Sequence, residues 1–374
     1  MKFVISSSLL STRLQNVGRV IVSKNNLPIL DCFLFQIKGN QLTVTASDNE
    51  TTLTSTIDLI ESDMDITFAV NAKTIQDAIK EIPEQPLDFH VNETNMEITI
   101  EYQNGQYRFM GQFGDEYPTP PANEEDTATI TLDSNSLLTG INCVLFATAD
   151  DELRPVMNGI FFDIKKQNVT IVASDGHKLA CNTFHQIEAA EEGCFILPKK
   201  PSLLLKNLLQ KESGDVIIRF SAKKALFQSE SYTMNCRLIE GRFPNYASVI
   251  PANNPNSITI NRAALQSALR RVLIFSNAQT ALVKIHTDMG KMTISCQDVD
   301  FSMSAEEALF CDYVGLPMSI GFKGTFLMEM LNNMDAEDII IKLADASRAG
   351  VIIPAEANEE RSSLMLLMPM MLND

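Results

Sequence analysis

Apolar and polar positions follow the same order at three places along the chain. Residues 3–6, 130–133 and 258–261 each have the short alternating pattern of a β-strand with one buried face. Ser6, Asp133 and Asn261 then stand where a helix N-cap is favoured. The apolar residues that follow have helical spacing, and they are Leu10, Leu14, Val17 and Ile21, then Leu137, Ile141, Val144 and Leu145, then Leu265, Leu269, Val272 and Leu273. The pattern predicts a strand and an amphipathic helix three times over.

A second strand and helix recur inside each third of the chain. The strands are predicted at residues 67–70, 194–197 and 318–322. The helices after them should bury Ile75, Ile79 and Ile82 in the first third, Leu203, Leu204 and Leu208 in the second, and Phe326, Met330 and Leu331 in the third. Alternating strands follow, for example at residues 97–101 and 216–220. Each third therefore reads as an α+β unit with an internal near-duplication.

An aspartate follows a strand at the same place in each third. Asp175 lies 127 residues after Asp48, and Asp298 lies 123 residues after Asp175. Such a long, regular period indicates repeated domains. Polar, turn-rich stretches at residues 117–126 and 251–256 separate the thirds. We predict an α+β fold with three tandem domains, at residues 1–122, 127–250 and 256–374, whose six similar helices form a curved array that lines one surface.

The composition is that of an ordinary globular chain. The 374 residues fit two or three domains, and 45% are hydrophobic while 21% are charged. No apolar run approaches the roughly 18 residues of a membrane span, and the N-terminus alternates like a strand rather than a signal peptide. The seven cysteines and four histidines are scattered without metal-site spacing. We expect a cytoplasmic protein with reduced thiols, no metal and no cofactor.

The net charge is −17, but it is unevenly distributed. The six predicted helices carry a net +7, so the rest of the chain carries −24. One interpretation is a basic helical surface on an acidic body, which would hold a polyanion on one face. The other is that Lys and Arg simply favour exposed helix positions, and that the protein is an acidic scaffold with no role on DNA. No aromatic residues interleave with the basic ones, so any nucleic-acid contact should be to phosphates.

Asp175 and His177 are the pair that most invites a catalytic hypothesis. A carboxylate and an imidazole could act as acid and base, and the chain would then be an enzyme. However, the Gly-x-Ser-x-Gly frame of a nucleophile elbow is absent around Ser174. Asp48 and Asp298 occupy the same repeat position without a histidine two residues later. A repeated aspartate after a strand is better explained as a turn former that bonds its own backbone.

Residues 364–372 near the end of the chain are strongly apolar and rich in methionine. They read either as a buried final strand or as an adaptable surface for partner peptides, because methionine moulds to varied ligands. Both interpretations hold if the strand comes first and a groove wall follows. Pro369 suggests that this strand lies at the edge of its sheet.

Several motifs together resemble a known family. They are residues 27–30 (Leu-Pro-Ile-Leu), 174–179 (Ser-Asp-Gly-His-Lys-Leu), 241–246 (Gly-Arg-Phe-Pro-Asn-Tyr) and 368–370 (Met-Pro-Met), set in three homologous thirds. The chain resembles the bacterial sliding clamps, the beta subunits of DNA polymerase III, over essentially its whole length. The resemblance implies a head-to-tail homodimer that closes a six-domain ring around duplex DNA, with helices lining the inside and sheets on the outside. It implies no catalysis: such clamps tether polymerases and repair proteins, and a clamp loader opens the ring.

The resemblance also implies roles for individual residues. A partner-peptide groove would be formed by Arg154, Met157, Ser174, Gly176, His177, Lys178, Leu179, Pro244, Val249, Phe326, Leu366, Leu367, Met368, Pro369 and Met370. DNA would face Lys24, Lys73, Lys199 and Lys200, and the subunit interface would join Phe109 and Met110 to Ile274 and Phe275 of the other subunit.

Three departures from the family pattern remove charge or aromatic surface at the groove edge. Met371 stands where the family often has Arg, Ser248 replaces another frequent Arg, and Pro155-Val156 replaces a tyrosine pair. Asn373-Asp374 extends the chain beyond the usual end.

Overall fold

The computed structural model describes residues 1–23, 25–118 and 128–372. The predicted domain boundaries at residues 122 and 127, and the two residues 373 and 374, lie outside the described residues. Within the described ranges the chain forms six α-helices and 27 strands, so the fold is α+β with sheets predominating.

The first third contains two helices and ten strands. They are β1 (Lys2–Ser6), α1 (Ser7–Val17), β2 (Cys32–Lys38), β3 (Gln41–Ser47), β4 (Thr51–Asp58), β5 (Glu61–Ser62), β6 (Ile66–Asn71), α2 (Ala72–Ile79), β7 (Pro86–Val91), β8 (Glu97–Tyr102), β9 (Gly105–Met110) and β10 (Gln112–Phe113).

The middle third repeats this order with eight strands. They are β11 (Ala128–Asp133), α3 (Ser134–Val144), β12 (Gly159–Lys165), β13 (Asn168–Ser174), β14 (Lys178–His185), β15 (Gly193–Pro198), α4 (Lys199–Leu209), β16 (Asp215–Phe220), β17 (Lys224–Gln228) and β18 (Tyr232–Arg237).

The last third repeats it again with nine strands. They are β19 (Asn256–Asn261), α5 (Arg262–Val272), β20 (Leu282–Asp288), β21 (Lys291–Asp298), β22 (Met303–Phe310), β23 (Asp312–Val314), β24 (Met318–Lys323), α6 (Gly324–Asn333), β25 (Asp338–Leu343), β26 (Gly350–Pro354) and β27 (Arg361–Leu367).

The three predicted N-caps are confirmed. Ser6 Oγ accepts a hydrogen bond from the Leu9 amide at 3.2 Å, as the first turn of α1 requires. The Asp133 carboxylate caps α3 at 2.9 Å and the Asn261 amide oxygen caps α5 at 3.0 Å. Each satisfies an amide that has no partner within its own helix.

The apolar faces of the helices also lie where the spacing predicts, with four exceptions. One is Phe326, which was expected to be buried by α6 but is only half-buried. Ile21 and Leu273 are only half-buried, because α1 ends at Val17 and α5 ends at Val272, and the chain then tightens into a 3₁₀ turn. Leu203 was expected to be buried but is 43% exposed. In α4 the buried face is formed instead by Leu204, Leu205, Leu208 and Leu209.

Internal contacts divide the chain into two compact units. The first comprises Met1–Leu137 and Leu203–Leu238. It contains a five-stranded sheet of order β5-β1-β7-β8-β9 and a nine-stranded sheet of order β10-β6-β2-β3-β4-β18-β17-β16-β11. The nine-stranded sheet joins the first third to the middle third, because β4 pairs antiparallel with β18, from Ser55 opposite Tyr232 to Thr51 opposite Cys236.

The second unit comprises Leu138–Ser202 and Ile239–Asp374. Its nine-stranded sheet has the order β15-β12-β13-β14-β27-β26-β25-β19-β23, and its four-stranded sheet the order β22-β21-β20-β24. The middle and last thirds join through antiparallel β14 and β27, from Lys178 opposite Leu367 to Phe184 opposite Arg361. Each nine-stranded sheet is thus made of two half-sheets from successive thirds.

Two half-sheets remain without a counterpart within the described residues. The repeat makes β9 the equivalent of β18 and β27, yet β9 ends the five-stranded sheet. It makes β22 the equivalent of β4 and β14, yet β22 ends the four-stranded sheet. Edges of this kind expose a row of backbone N–H and C=O groups that can pair with another strand.

A contact at the start of α1 gives a test of the fold. The Glu84 carboxylate accepts hydrogen bonds from Ser6 Oγ at 2.9 Å and from the Ser8 amide at 3.0 Å. Bonds from Ser8 and Ser6 lower the pKa of Glu84 from its ordinary value of 4.5. A lowered pKa stabilises the fold above the unfolded pKa, and that stability is lost as pH falls through the folded pKa.

We therefore expect Glu84→Gln to lower the urea midpoint of unfolding at pH 7, and the difference from the unchanged protein to shrink below about pH 4. Glu81→Gln, at an exposed position three residues earlier, is the matched control and should leave the midpoint unchanged at both pH values. A difference that persisted at low pH would show that the charge of Glu84 is not what stabilises α1.

Candidate functional site

The loop between β13 and β14 is held in one shape by its own side chains. Asp175 Oδ1 accepts hydrogen bonds from the His177 amide at 2.8 Å and the Lys178 amide at 2.9 Å. Ser174 Oγ donates to the Lys178 carbonyl at 2.9 Å and accepts from the Gly176 amide at 3.1 Å. Gly176 has φ 91°, which a residue with a side chain adopts only under strain.

The other two copies of the aspartate act in the same way. Asp48 Oδ1 accepts from the Thr51 amide at 2.7 Å, and Asp298 Oδ1 accepts from the Asp300 amide at 3.0 Å. The prediction of a turn-forming aspartate is confirmed. The Asp175 carboxylate is occupied by backbone amides, so it does not form an acid–base pair with His177.

Lys178 follows this loop and points inward. Its ammonium lies 2.8 Å from Glu329 Oε2 and 3.3 Å from Asp175 Oδ2, and only 6% of the side chain is exposed. The same ammonium lies 4.1 Å from the centre of the Phe326 ring, which is a cation–π distance. Glu329 and Phe326 are on α6, so Lys178 fastens β14 of the middle third to a helix of the last third.

The end of the chain forms one side of the same place. Met365, Leu366 and Leu367 are buried in β27, and the Met368 amide then donates to the His177 carbonyl at 2.9 Å. Two residues later the Met370 amide donates to the Gly321 carbonyl on β24 at 2.8 Å. A buried strand therefore comes first and an exposed tail follows, as expected.

The expected edge position of this strand is wrong. β27 lies between β14 and β26, inside a nine-stranded sheet. Pro369 lies beyond the last residue of β27, where the sheet needs no N–H from it.

An apolar floor lies beneath the tail and the loop. Leu179 and Leu366 are opposite each other in the β14–β27 pair and share one cluster with buried Phe243. Phe161 stacks on Phe243 with ring centres 4.8 Å apart. The Tyr246 hydroxyl donates to Asp163 at 2.7 Å, and burial together with this carboxylate raises the pKa of Tyr246 above its usual range.

Exposed side chains surround this floor. Val249 is 55% exposed and Met368 is 44% exposed, while Pro244 and His177 are also open to solvent. Arg154 lies close to the loop, because a side chain built on Gly176 would come within 3.0 Å of its guanidinium. Arg154 also donates to Asp151 at 2.8 Å, and this bond lowers the pKa of Asp151.

All fifteen groove residues named from the sequence belong to the second unit. Met157, Lys178, Leu179, Leu366 and Leu367 are buried, and the other ten are at least partly exposed. The contacts of the loop, the tail and Phe326 bring the central members together. The sequence did not reveal that Lys178 is buried, nor that Phe243 and Tyr246 build the floor. These features depend on contacts between residues far apart in the chain, which leave no pattern in the local sequence.

The basic positions named for DNA have different surroundings. Lys24 lies outside the described residues. Lys73 is exposed in the first turn of α2. Lys199 and Lys200 begin α4 and are half-buried, and the Lys199 ammonium lies 3.6 Å from the Asp150 carboxylate.

The positions named for a subunit interface lie at or beside the two open edges. Phe109 and Met110 end β9, and Met110 is 62% exposed. Ile274 and Phe275 follow α5, and Ile274 is 73% exposed. Sequence reasoning missed the edge strand β22. Glu307 on this strand forms an ion pair with Arg271 of α5, and the ion pair lowers the pKa of Glu307. The sequence signal that could have identified β22 is its position in the repeat, which is equivalent to those of β4 and β14.

The threefold repeated fold, together with the loop and tail that meet at the junction of β14 and β27, defines a clamp-type protein of three tandem domains. Models of the DNA polymerase III beta subunit match at residues 1–121 for its N-terminal domain, 131–245 for its central domain and 247–371 for its C-terminal domain. The chain belongs to the family of DNA polymerase III beta subunits, the beta sliding clamps.

Individual relatives agree with this assignment. Beta sliding clamps of Pseudomonas putida and Haemophilus influenzae are each 28% identical to this chain, with 100% of both chains covered. The crystal structure of the Pseudomonas aeruginosa DNA polymerase III subunit beta is 25% identical, with a TM-score of 0.93 and 100% coverage of both chains. A Pseudomonas aeruginosa sliding clamp bound to griselimycin, also 25% identical with both chains fully covered, has a TM-score of 0.94.

As a member of this family, the chain is a processivity factor for a DNA polymerase and has no catalytic activity. The fold and the family matches confirm the sequence prediction of an α+β clamp with three tandem domains. Among the described residues, none of the helices is long and apolar enough to cross a membrane.

The hairpin loop yields a test that separates a turn former from an acid. Asp175→Ala removes the acceptor for the His177 and Lys178 amides and should destabilise the protein by about 1 kcal/mol. Asp175→Asn keeps an oxygen at the same place and should restore most of that loss. Urea unfolding and amide hydrogen exchange at residues 177 and 178 measure both effects. Equal damage from the two substitutions would contradict the turn assignment.

Proposed function

We propose that two copies of this chain associate head to tail into a closed ring around duplex DNA, and that the groove holds peptides of DNA polymerases and repair proteins. The observation that carries the proposal is the pair of leftover half-sheets, one ending at β9 and the other at β22. Paired together they would make a third nine-stranded sheet like the two within the chain.

The repeat supports this pairing. Within the chain, the equivalents of β22 pair antiparallel with the equivalents of β9, once as β4 with β18 and once as β14 with β27. The edge at β22 of one copy would continue the pattern with β9 of the other. Such an interface joins two different surfaces, so it produces a ring when the rotation closes. Family resemblance supports closure at two subunits and six domains.

Apolar side chains beside the two edges support the same arrangement. Ile274, Phe275 and Met110 are exposed in the single chain, where large apolar groups favour burial against a partner. Phe109 is half-buried on β9. These four residues would form the apolar part of the subunit interface.

The charge distribution supports DNA as the ligand within the ring. The helical segments carry a net positive charge in a chain of net charge −17. Lys24, Lys73, Lys199 and Lys200 would contact phosphates, which carry no sequence information. A closed ring cannot leave DNA sideways, so weak contacts suffice and sliding remains fast.

The groove supports recognition of short peptides. An apolar floor of Leu179 and Leu366 would receive aliphatic or aromatic anchors, and the rim at His177 and Met368 would fix the peptide backbone. A related clamp is bound to griselimycin.

A clamp loader would open the ring, and the protein would act in the cytoplasm. The family matches at residues 1–121, 131–245 and 247–371 support three domains, whose limits we propose at residues 1–122, 127–250 and 256–374.

The subunit interface can be tested by one substitution. The unchanged protein should have a solution mass near twice 41.5 kDa at micromolar concentration, as measured by light scattering. Ile274→Asp would bury a charge at the interface and should weaken association roughly tenfold or more, so that the mass falls toward that of one chain. Leu153→Asp changes a residue that is 91% exposed and belongs to neither edge strand, and should leave the mass unchanged.

Topology gives the direct test of the ring. After loading by the cognate clamp loader, the protein should stay on nicked circular DNA in high salt and leave linear DNA from its ends. The Ile274→Asp variant should dissociate from circular and linear DNA alike. Equal loss of the unchanged protein from circular and linear DNA, or a monomer at every concentration, would contradict the proposal.

The groove has its own test. Val249→Asp places a charge on the rim and should weaken binding of a fluorescent peptide with a Leu-Phe anchor at least about tenfold. Val314→Asp alters an exposed valine on β23 and is the control. Fluorescence anisotropy measures both affinities. Peptide binding that is equally strong in both variants would place the peptide elsewhere.

A further inference from the structure

Two ammonium groups lie over the same aromatic ring at one end of the groove. Lys178 Nζ is 4.1 Å and Lys323 Nζ is 4.5 Å from the centre of the Phe326 ring. The ring is half-buried, and the His177 ring lies 6.5 Å away between centres. Phe326 is thus both an apolar wall and the support for two cations.

The two ammonium groups differ in whether a carboxylate of the protein contacts them. Lys178 is buried between the carboxylates of Glu329 and Asp175, so its ammonium is already engaged by two carboxylates of the protein. Arg154, the other cation at the loop, is balanced by Asp151. Within the described part of the chain, Lys323 makes no ion pair, and its side chain is only half-buried. Of the two ammonium groups over the Phe326 ring, that of Lys323 is therefore the one that no carboxylate of the described residues contacts.

The position of Lys323 relative to the tail brings this charge to the groove. Lys323 ends β24, two residues after Gly321, whose backbone pairs with Met370. Phe326, which Lys323 covers, also contacts the loop at Lys178. A peptide lying on the apolar floor beside Met370 and Phe326 would pass this ammonium.

We propose that Lys323 is a specificity-determining residue that selects partner peptides with a carboxylate next to their apolar anchor. The inference rests on the proposed function of the groove and adds the chemical class of its ligand. The carboxylate can be an acidic side chain or the C-terminus of the peptide, since both present the same group to an ammonium. The ring of Phe326 holds the Lys323 ammonium in place, so less side-chain freedom is lost when the ion pair forms.

Binding of matched synthetic peptides tests the proposal. One pair differs only in Glu or Gln beside a Leu-Phe anchor, and a second pair differs only in a C-terminal carboxylate or carboxamide. The unchanged protein should bind at least one carboxylate peptide about two- to fivefold more tightly than its amide partner at low salt. Added salt should reduce that preference. The pair that shows it identifies the source of the carboxylate.

Lys323→Met keeps an apolar side chain over Phe326 and should abolish the preference while binding the amide peptides as tightly as before. Lys291→Met removes an exposed lysine from β21 of the same third and should keep the preference. Equal binding of each carboxylate peptide and its amide partner by the unchanged protein would overturn the proposal and leave the groove function intact. So would a preference that survives in Lys323→Met. Failure of every peptide to bind would overturn the groove function as well.

Discussion

Backbone hydrogen bonding at the ends of half-sheets is the constraint on which this structure depends. An open sheet leaves N–H and C=O groups on the outer side of each end strand without partners in the sheet, and a repeated domain repeats such edges. The chain pairs such edges twice internally, at β4 with β18 and at β14 with β27. The antiparallel pairing of successive thirds therefore holds the domains together and leaves β9 and β22 as end strands within the described residues.

The groove is a consequence of the second of these junctions. β14 and β27 come from different thirds, and the loop before β14 and the tail after β27 emerge side by side because the strands are antiparallel. Asp175 fixes the loop, the Met370 contact with Gly321 fixes the tail, and Lys178 fastens both to α6 through Glu329. The proposed binding surface is thus built from backbone positions that the sheet already determines. Its proposed rim includes Lys323 and Val249, whose side chains are at least partly exposed.

Features with a local physical cause could be predicted from the sequence, and those with a distant cause could not. The caps at Ser6, Asp133 and Asn261 and the turn at Asp175 depend on side chains bonding nearby amides, so residue type and spacing sufficed. Pro369 was misplaced because strand order depends on contacts far along the chain. The burial of Lys178 depends on Glu329, 151 residues away. Leu203 was misjudged because three consecutive leucines leave the orientation of a helix face undetermined.

The two open flanks differ from each other, and this has a consequence for errors of assembly. A self-complementary contact can only make a pair, whereas the proposed pairing of β9 with β22 would leave a further β22 and a further β9 at the ends of any unclosed chain of subunits. The proposed ring would therefore require a fixed curvature from domain to domain. A substitution that altered the curvature without weakening the flanks would produce open polymers that grow with concentration, rather than free monomers.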